Sequence, residues 1–123
     1  KPGEAGNFCV VDAAMNDFIR PALYSAYQEI INVQQHSDAD EAKYDVVGPI
    51  CESADFLGKD RNLSVEAGDL LAARTAGAYC FTLASNYNAR ARAAEIMVDG
   101  DKVHLVRKRE NLEELYVLES LVE

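Results

Sequence analysis

Bases, cysteine pairs and long apolar runs are what this chain lacks. Twelve Lys and Arg stand against twenty-one Asp and Glu, a formal charge of −9. A phosphate backbone or an anionic membrane face would be repelled by such a surface, which excludes nucleic acid as a natural partner. The three cysteines, Cys9, Cys51 and Cys80, are odd in number and have no C-x-x-C spacing. That pattern fits neither a disulfide framework nor a zinc site, and a reducing cytoplasm suits it best. His36 and His104, the two histidines, lie far apart and lack ligand spacing, so no metal is expected and neither is assigned a role. No stretch approaches the roughly 18 apolar residues of a membrane span, so no membrane partner is expected either. The opening Lys1-Pro2-Gly3-Glu4 does not read as a signal peptide. It has no initiator Met and enters "NFCVV" from a Pro-Gly turn, so the chain is expected to be a piece of a longer polypeptide.

What is present suits one modest core, since about half of the 123 residues are apolar. Residues 8–11 read as a short strand. In "AYQEIINVQ" the even spacing of Tyr27, Ile31 and Val33 reads as another. Between them "MNDFIRPALYSA" predicts a brief helix, with Asn16 or Asp17 as cap and Pro21 in the first turn. The acidic "QQHSDADEAK" is expected to be an exposed loop. "YDVVGPIC" is a strand whose Pro49 must sit at its edge or exit. "GDLLAARTAGAYCFTLA" supplies one or two more strands, though its alanines equally permit helix. "AEIMVDGDKVHLVR" is a hairpin turning through Asp99-Gly100. In "ENLEELYVLESL", Leu112, Leu115 and Leu118 stand at helical spacing and predict an amphipathic helix. No repeat or low-complexity tract interrupts the chain. The fold class is mainly β, an antiparallel sandwich or Greek-key barrel with short helices.

Three clusters carry chemistry. Cys51 stands beside Glu52 and Asp55 after Gly48-Pro49. Neighbouring carboxylates penalise a thiolate, so this thiol is expected to keep its proton and to serve as a donor rather than a nucleophile. The alternative is a cysteine filling a small apolar gap with its acids in solvent. Arg20 and Tyr24 are four residues apart and share a face of a helical turn, where a guanidinium and a phenol make a clamp for a carboxylate. The alternative, favoured by spacing alone, is an Arg paired to a surface acid with Tyr packed on the sheet. Tyr87 lies among amides just before Arg90 and Arg92, which is either an anion contact or a hydrogen-bonded strand-end turn.

Taken together, "VDAAMNDFIRPALY", "VVGPICESADFLGKDR" and "ASNYNARARAAEIMV" resemble the C-terminal part of the diaminopimelate decarboxylases, and the likeness runs through essentially the whole chain. "RPALY" followed by "CES" resembles that branch more than the ornithine and arginine decarboxylases. The resemblance implies that residues 1–123 are the C-terminal β-domain of a two-domain enzyme. Its other domain is a (β/α)₈ barrel, absent from this chain, and a barrel lysine holds pyridoxal 5′-phosphate. It also implies that the β-domain takes a strand from the N-terminus of the full chain and is inactive alone. The implied substrate is the small molecule meso-2,6-diaminopimelate, and the products are L-lysine and CO₂.

The resemblance also implies the roles of single residues. Arg20 and Tyr24 contact the substrate carboxylate, Glu52 the distal ammonium, and Tyr87 both substrate and cofactor phosphate. Cys51 is the proton donor, and it reaches the partner subunit's barrel across a homodimer interface. Two positions depart from the family pattern: Ala54 stands where glycine is common and Ala91 where proline is common. Two rival readings are a decarboxylase for another basic amino acid or polyamine precursor, and a stand-alone β-sandwich that binds a partner without chemistry.

Overall fold

A computed structural model describes residues 2–3, 6–34 and 40–122, with Pro2 and Gly3 described in backbone only. Residues 35–39 of the acidic segment, His36 among them, fall outside the described residues, and its last two, Ala42 and Lys43, open a strand rather than the expected loop. The remainder is mainly β, as expected. Strands β1 (Pro2–Gly3), β2 (Gly6–Val10), β4 (Ala42–Val47) and β5 (Phe56–Leu63) form a sheet in the order β1-β2-β4-β5. Strand β3 (Ile30–Asn32) pairs with β6 (Leu71–Ala73), and β7 (Glu95–Asp99) with β8 (Lys102–Arg107). One pairing departs from an all-antiparallel sheet: β2 runs parallel to β4, with Phe8 opposite Asp45 and Val10 opposite Val47. The chain between them, which includes α1 (Arg20–Tyr24) and β3, forms the crossover that a parallel pair requires.

Strand β4 is the centre of the main sheet, and Val46, at 1 % exposure, is the centre of the core. Phe18, Ile30, Leu57, Leu63 and Cys80 close around it. Burial pushes the Cys80 thiol up, and does the same for Cys9 on β2. Pro49 lies just beyond the end of β4, where a missing N–H costs no ladder bond.

Strand β5 is the longest, and its pattern is hidden by a bulge. Tyr44 faces Arg61 and Val46 faces Gly58, so Lys59 and Asp60 share the space opposite Asp45. Asp60 takes a φ of 54° there, and its N–H donates to Asp45 Oδ1 at 2.9 Å. Strand β3 buries the face opposite to the one its spacing suggested. Tyr27 is 73 % exposed, and Ile31 and Val33 also face outward, whereas Ile30 and Gln28 are buried. Gln28 is tolerated inside because its Nε2 donates to Thr75 O at 3.0 Å.

The alanine-rich segment yields both β6 and a short helix, α2 (Cys80–Leu83). In the β7–β8 hairpin Asp99 pairs with Lys102, so the loop is Gly100-Asp101 rather than Asp99-Gly100. Gly100 has a φ of 61° and Asp101 is not in the left-handed region, which is the sign pattern of a type II′ turn. The expected C-terminal helix shortens to a 3₁₀ turn at Leu112–Leu115, started by a capping box between Asn111 and Glu114. Leu118, 98 % exposed, has no apolar surface to pack on, so nothing extends the turn.

After the hairpin the chain is tied back by Glu110. Its carboxylate accepts the Arg92 backbone N–H at 2.8 Å, Arg92 Nη1 at 2.7 Å and Asn86 Nδ2 at 2.7 Å. Those bonds, the Arg92 backbone N–H first, hold its pKa at about 2 against an ordinary 4.5. A depressed carboxylate stabilises the fold fully above its unfolded pKa and loses that contribution as pH falls through the folded one. Thermal stability is therefore expected to decline between pH 4.5 and about 2 partly through Glu110. Glu110→Gln should lower Tm at pH 7 and flatten that part of the Tm-against-pH curve, and an unchanged slope would show that the tie contributes nothing.

Candidate active site

The side chains singled out in sequence sit on three segments that converge on one turn, residues 12–17. Helix α1 leaves this turn directly. Pro21 occupies its first positions and is buried, as expected, but the cap is not Asn16 or Asp17. Ile19 takes the cap position without a side-chain bond, because both polar residues are used elsewhere. Asp17 Oδ2 accepts the Ala14 N–H within the turn. Asn16, 1 % exposed, donates to Ser85 O at 3.3 Å and accepts Arg90 Nε at 2.9 Å.

Arg20 and Tyr24 do share a face. The Arg20 guanidinium carbon lies 5.5 Å from the Tyr24 ring centroid and 5.2 Å from that of Tyr79. Two aromatic faces thus hold the cation by its π-surface. Among the described residues no acceptor is bonded to the Arg20 side chain, so its N–H fork stays available for a carboxylate. Pairing with a surface acid is not what the structure contains. Tyr79 escaped the sequence reading because it lay in a segment read as strand. Its φ of 70° at the entry to α2 is a left-handed conformation rare for an aromatic residue, and it turns the ring toward Arg20.

The second segment, residues 48–55, carries Cys51 and Glu52. Cys51 is an exposed free thiol, so the gap-filling alternative does not describe it. Glu52 is exposed too, with Oε1 accepting the Ala54 N–H and Oε2 the Tyr87 hydroxyl, both at 3.4 Å. Asp55, expected as a second acid beside the thiol, turns the other way. It is 4 % exposed, and its carboxylate accepts the Met15 and Ile50 backbone N–H groups at 2.7 Å each. Ala54 is not among the residues with positive φ, so replacing the usual glycine there costs no backbone strain.

The third segment, residues 85–90, presents Tyr87, half-exposed, in a 3₁₀ turn at Tyr87–Ala89. The structure therefore brings Tyr87 to Glu52, and Tyr24 to Arg20. It does not offer Arg90 or Arg92 as anion contacts. Arg90 is consumed by Asn16, Asp17 and the Asp12 carbonyl, and Arg92 by Glu110, Asn86 and the Ala84 carbonyl. The described lysines, Lys43, Lys59, Lys102 and Lys108, are exposed on strands or after β8, and Lys59 lies over the Phe56 ring at 4.0 Å. The Tyr87 hydroxyl, bonded to Glu52 at 3.4 Å, fits a contact to an anionic cofactor. No three His, Cys, Asp or Glu side chains among the described residues gather as metal ligands. No helix of the described residues is long and apolar enough to cross a membrane.

A family model described as the C-terminal sheet domain of pyridoxal-dependent decarboxylases matches residues 1–77. The chain belongs to that family. Diaminopimelate decarboxylase of Vibrio cholerae is 57 % identical over 122 residues, 99 % of this chain and 29 % of the relative. The same enzyme of Haemophilus influenzae is 52 % identical over the same shares. A crystal structure of diaminopimelate decarboxylase from M. jannaschii, in complex with L-lysine, superposes with a TM-score of 0.93 at 37 % identity, over 99 % of this chain and 28 % of that one. The chain thus spans about 29 % of the length of the curated relatives it matches.

In this decarboxylase domain the alanine at 91 is open to test. Arg90 has φ −91° and ψ 131°, the extended conformation that a following proline demands. Ala91→Pro is expected to raise stability by about 0.4–1 kcal/mol by restricting the unfolded chain. A lower urea midpoint would show instead that the Ala91 N–H or a different φ is needed.

Proposed function

We propose that this domain supplies the substrate-facing side chains of a diaminopimelate decarboxylase, which converts meso-2,6-diaminopimelate to L-lysine and CO₂. The observation that carries the reading is Arg20, held between Tyr24 and Tyr79 with its donors open, on the helix that follows the turn to which Asp55 ties the loop of the exposed Cys51–Glu52 pair. Identities of 46–57 % to proteins named diaminopimelate decarboxylase support that substrate over other basic amino acids. Pyridoxal phosphate, held by a lysine of the barrel domain, supplies the electron sink for loss of CO₂. In the substrate complex Arg20 holds a carboxylate through its planar fork, with the Tyr24 hydroxyl beside it. Glu52 receives the distal ammonium, and Tyr87 contacts the substrate and the cofactor phosphate. Cys51 delivers its thiol proton to the carbon that has lost CO₂. The working enzyme is a cytoplasmic homodimer in which Cys51 and Glu52 serve the partner's barrel.

In the full-length enzyme Arg20→Ala should cost about 2–5 kcal/mol in kcat/KM, the range for truncating one member of a desolvated charge pair. A kcat/KM within twofold of wild type would refute the clamp.

The dimeric arrangement is tested by mixing two inactive variants, one Cys51→Ala and one lacking the cofactor-binding lysine. If Cys51 serves the partner's barrel, each mixed dimer has one intact site, and random mixing restores about a quarter of wild-type activity in a two-fold dimer. No recovery, with mixed dimers verified by mass spectrometry, would place Cys51 in its own subunit's site.

A further inference from the structure

We propose that Asp55 is a positioning residue for the proton-delivering loop, a role that rests on the functional reading above and deepens it. Asp55 ends residues 48–55 and closes them on themselves. Its N–H donates to Glu52 O at 3.0 Å, and the Gly48 N–H donates to Asp55 O at 3.1 Å. The side chain then makes two charge-assisted bonds in opposite directions. Oδ2 takes the Ile50 N–H, immediately before Cys51, and Oδ1 takes the Met15 N–H on the turn that leads into α1. One buried carboxylate thus links the backbone beside the thiol to the backbone that carries Arg20. Both bonds are 2.7 Å long, and the bond to Ile50 is buried, the setting in which such bonds are strongest.

The site demands a carboxylate and a glycine together. Both partners of Asp55 are N–H donors, so an amide at 55 could satisfy one of them but would set its own NH₂ against the other. A Cβ on Gly48 would meet Asp55 Oδ2 at 2.4 Å, Oδ1 at 2.7 Å and the Ala13 carbonyl at 2.8 Å. Gly48 therefore leaves the space that the carboxylate occupies. Residues 51–53 are exposed; the Glu52 N–H donates to Ile50 O at 2.8 Å, whereas the Glu52 side chain makes only long bonds, to Ala54 and Tyr87 at 3.4 Å. Without Asp55 the thiol keeps its chemistry and loses its address.

The test uses the full-length enzyme with meso-2,6-diaminopimelate in D₂O, reading both rate and the configuration of deuterium at the carbon that lost CO₂. Asp55→Asn and, independently, Gly48→Ala should lower kcat by about tenfold or more, since ångström-scale misplacement of a reacting group has that effect. Both should also deliver deuterium to both faces, where wild type uses one. Leu63→Ala, a core truncation at the far end of β5 opposite Ala42, is the control. It should lower Tm at least as much yet keep kcat within about twofold and a single configuration. Asp55→Asn with wild-type rate and stereochemistry overturns the proposal, as does equal scrambling by Leu63→Ala. Failure of both loop variants to form soluble enzyme also overturns it, by making Asp55 a requirement of the fold. If wild type does not decarboxylate this substrate, the functional reading fails by itself. The positioning role is then judged from amide hydrogen exchange at Met15 and Ile50. Both amides should exchange at least about tenfold faster in the two loop variants and not in Leu63→Ala, as local opening predicts, and unchanged exchange overturns the role.

Discussion

The turn at residues 12–17, anchored by buried Ala14 and Asn16, is the constraint from which the candidate site takes its geometry. Every segment that carries a reactive side chain is fastened to it by a polar side chain withdrawn from water. Asp55 ties it to the Cys51 loop, Asn16 to Ser85 and Arg90, and Arg90 returns to the Asp12 carbonyl. The bonds of Asp55 and Asn16 are costly to break because each would strand a polar group of a buried side chain. A loop is usually mobile because its backbone answers to water. Here three loops answer to one another, and the exposed groups at their tips inherit the rigidity of the interior.

The sequence spoke clearly wherever a residue's own stereochemistry dictates structure. Pro21 could occupy only the first turn of a helix, and Pro49 could stand only beyond a ladder. The alternation on both sides of Gly100 required a hairpin. The four-residue spacing of Arg20 and Tyr24 placed them on one face for the same reason. Where tertiary context decides, the reading failed. Strand β5 was invisible because a bulge breaks its alternation at Asp60, which leaves a charged pair where a period-two pattern was sought. In β3 the apolar spacing of Tyr27, Ile31 and Val33 was real but marked the outer face. A buried Gln28 whose Nε2 donates to the Thr75 carbonyl has no signature in a hydrophobicity pattern.

The site was legible to the same degree and for the same reasons. Residue types that chemistry favours, an Arg with a Tyr and a thiol with a carboxylate, could be found from spacing. Their supports could not. Asp55 looked like a second acid for Cys51 because the two are near in sequence, yet the chain turns between them and sends one outward and the other into the core. Arg90 and Arg92 looked free for an anion, but the structure spends both on holding loops. Tyr79 required a left-handed φ to reach Arg20, a geometry that no propensity anticipates.

The treatment of Arg20 also answers a difficulty raised by the composition. A chain with a formal charge of −9 is a poor place to attract a carboxylate, and most of its arginines are neutralised by nearby acids. An acid beside Arg20 would fix the side chain equally well but would cancel the charge and occupy the fork. Aromatic rings restrain the guanidinium through its faces and leave both the charge and the in-plane donors intact. On the proposed reading this makes Arg20 a local positive pole and exposed Glu52 a negative one, both fastened to the same rigid turn. A cation that keeps its charge and its donors in so acidic a domain is suited to the carboxylate end of a small ligand, which is the use the proposed reading gives it.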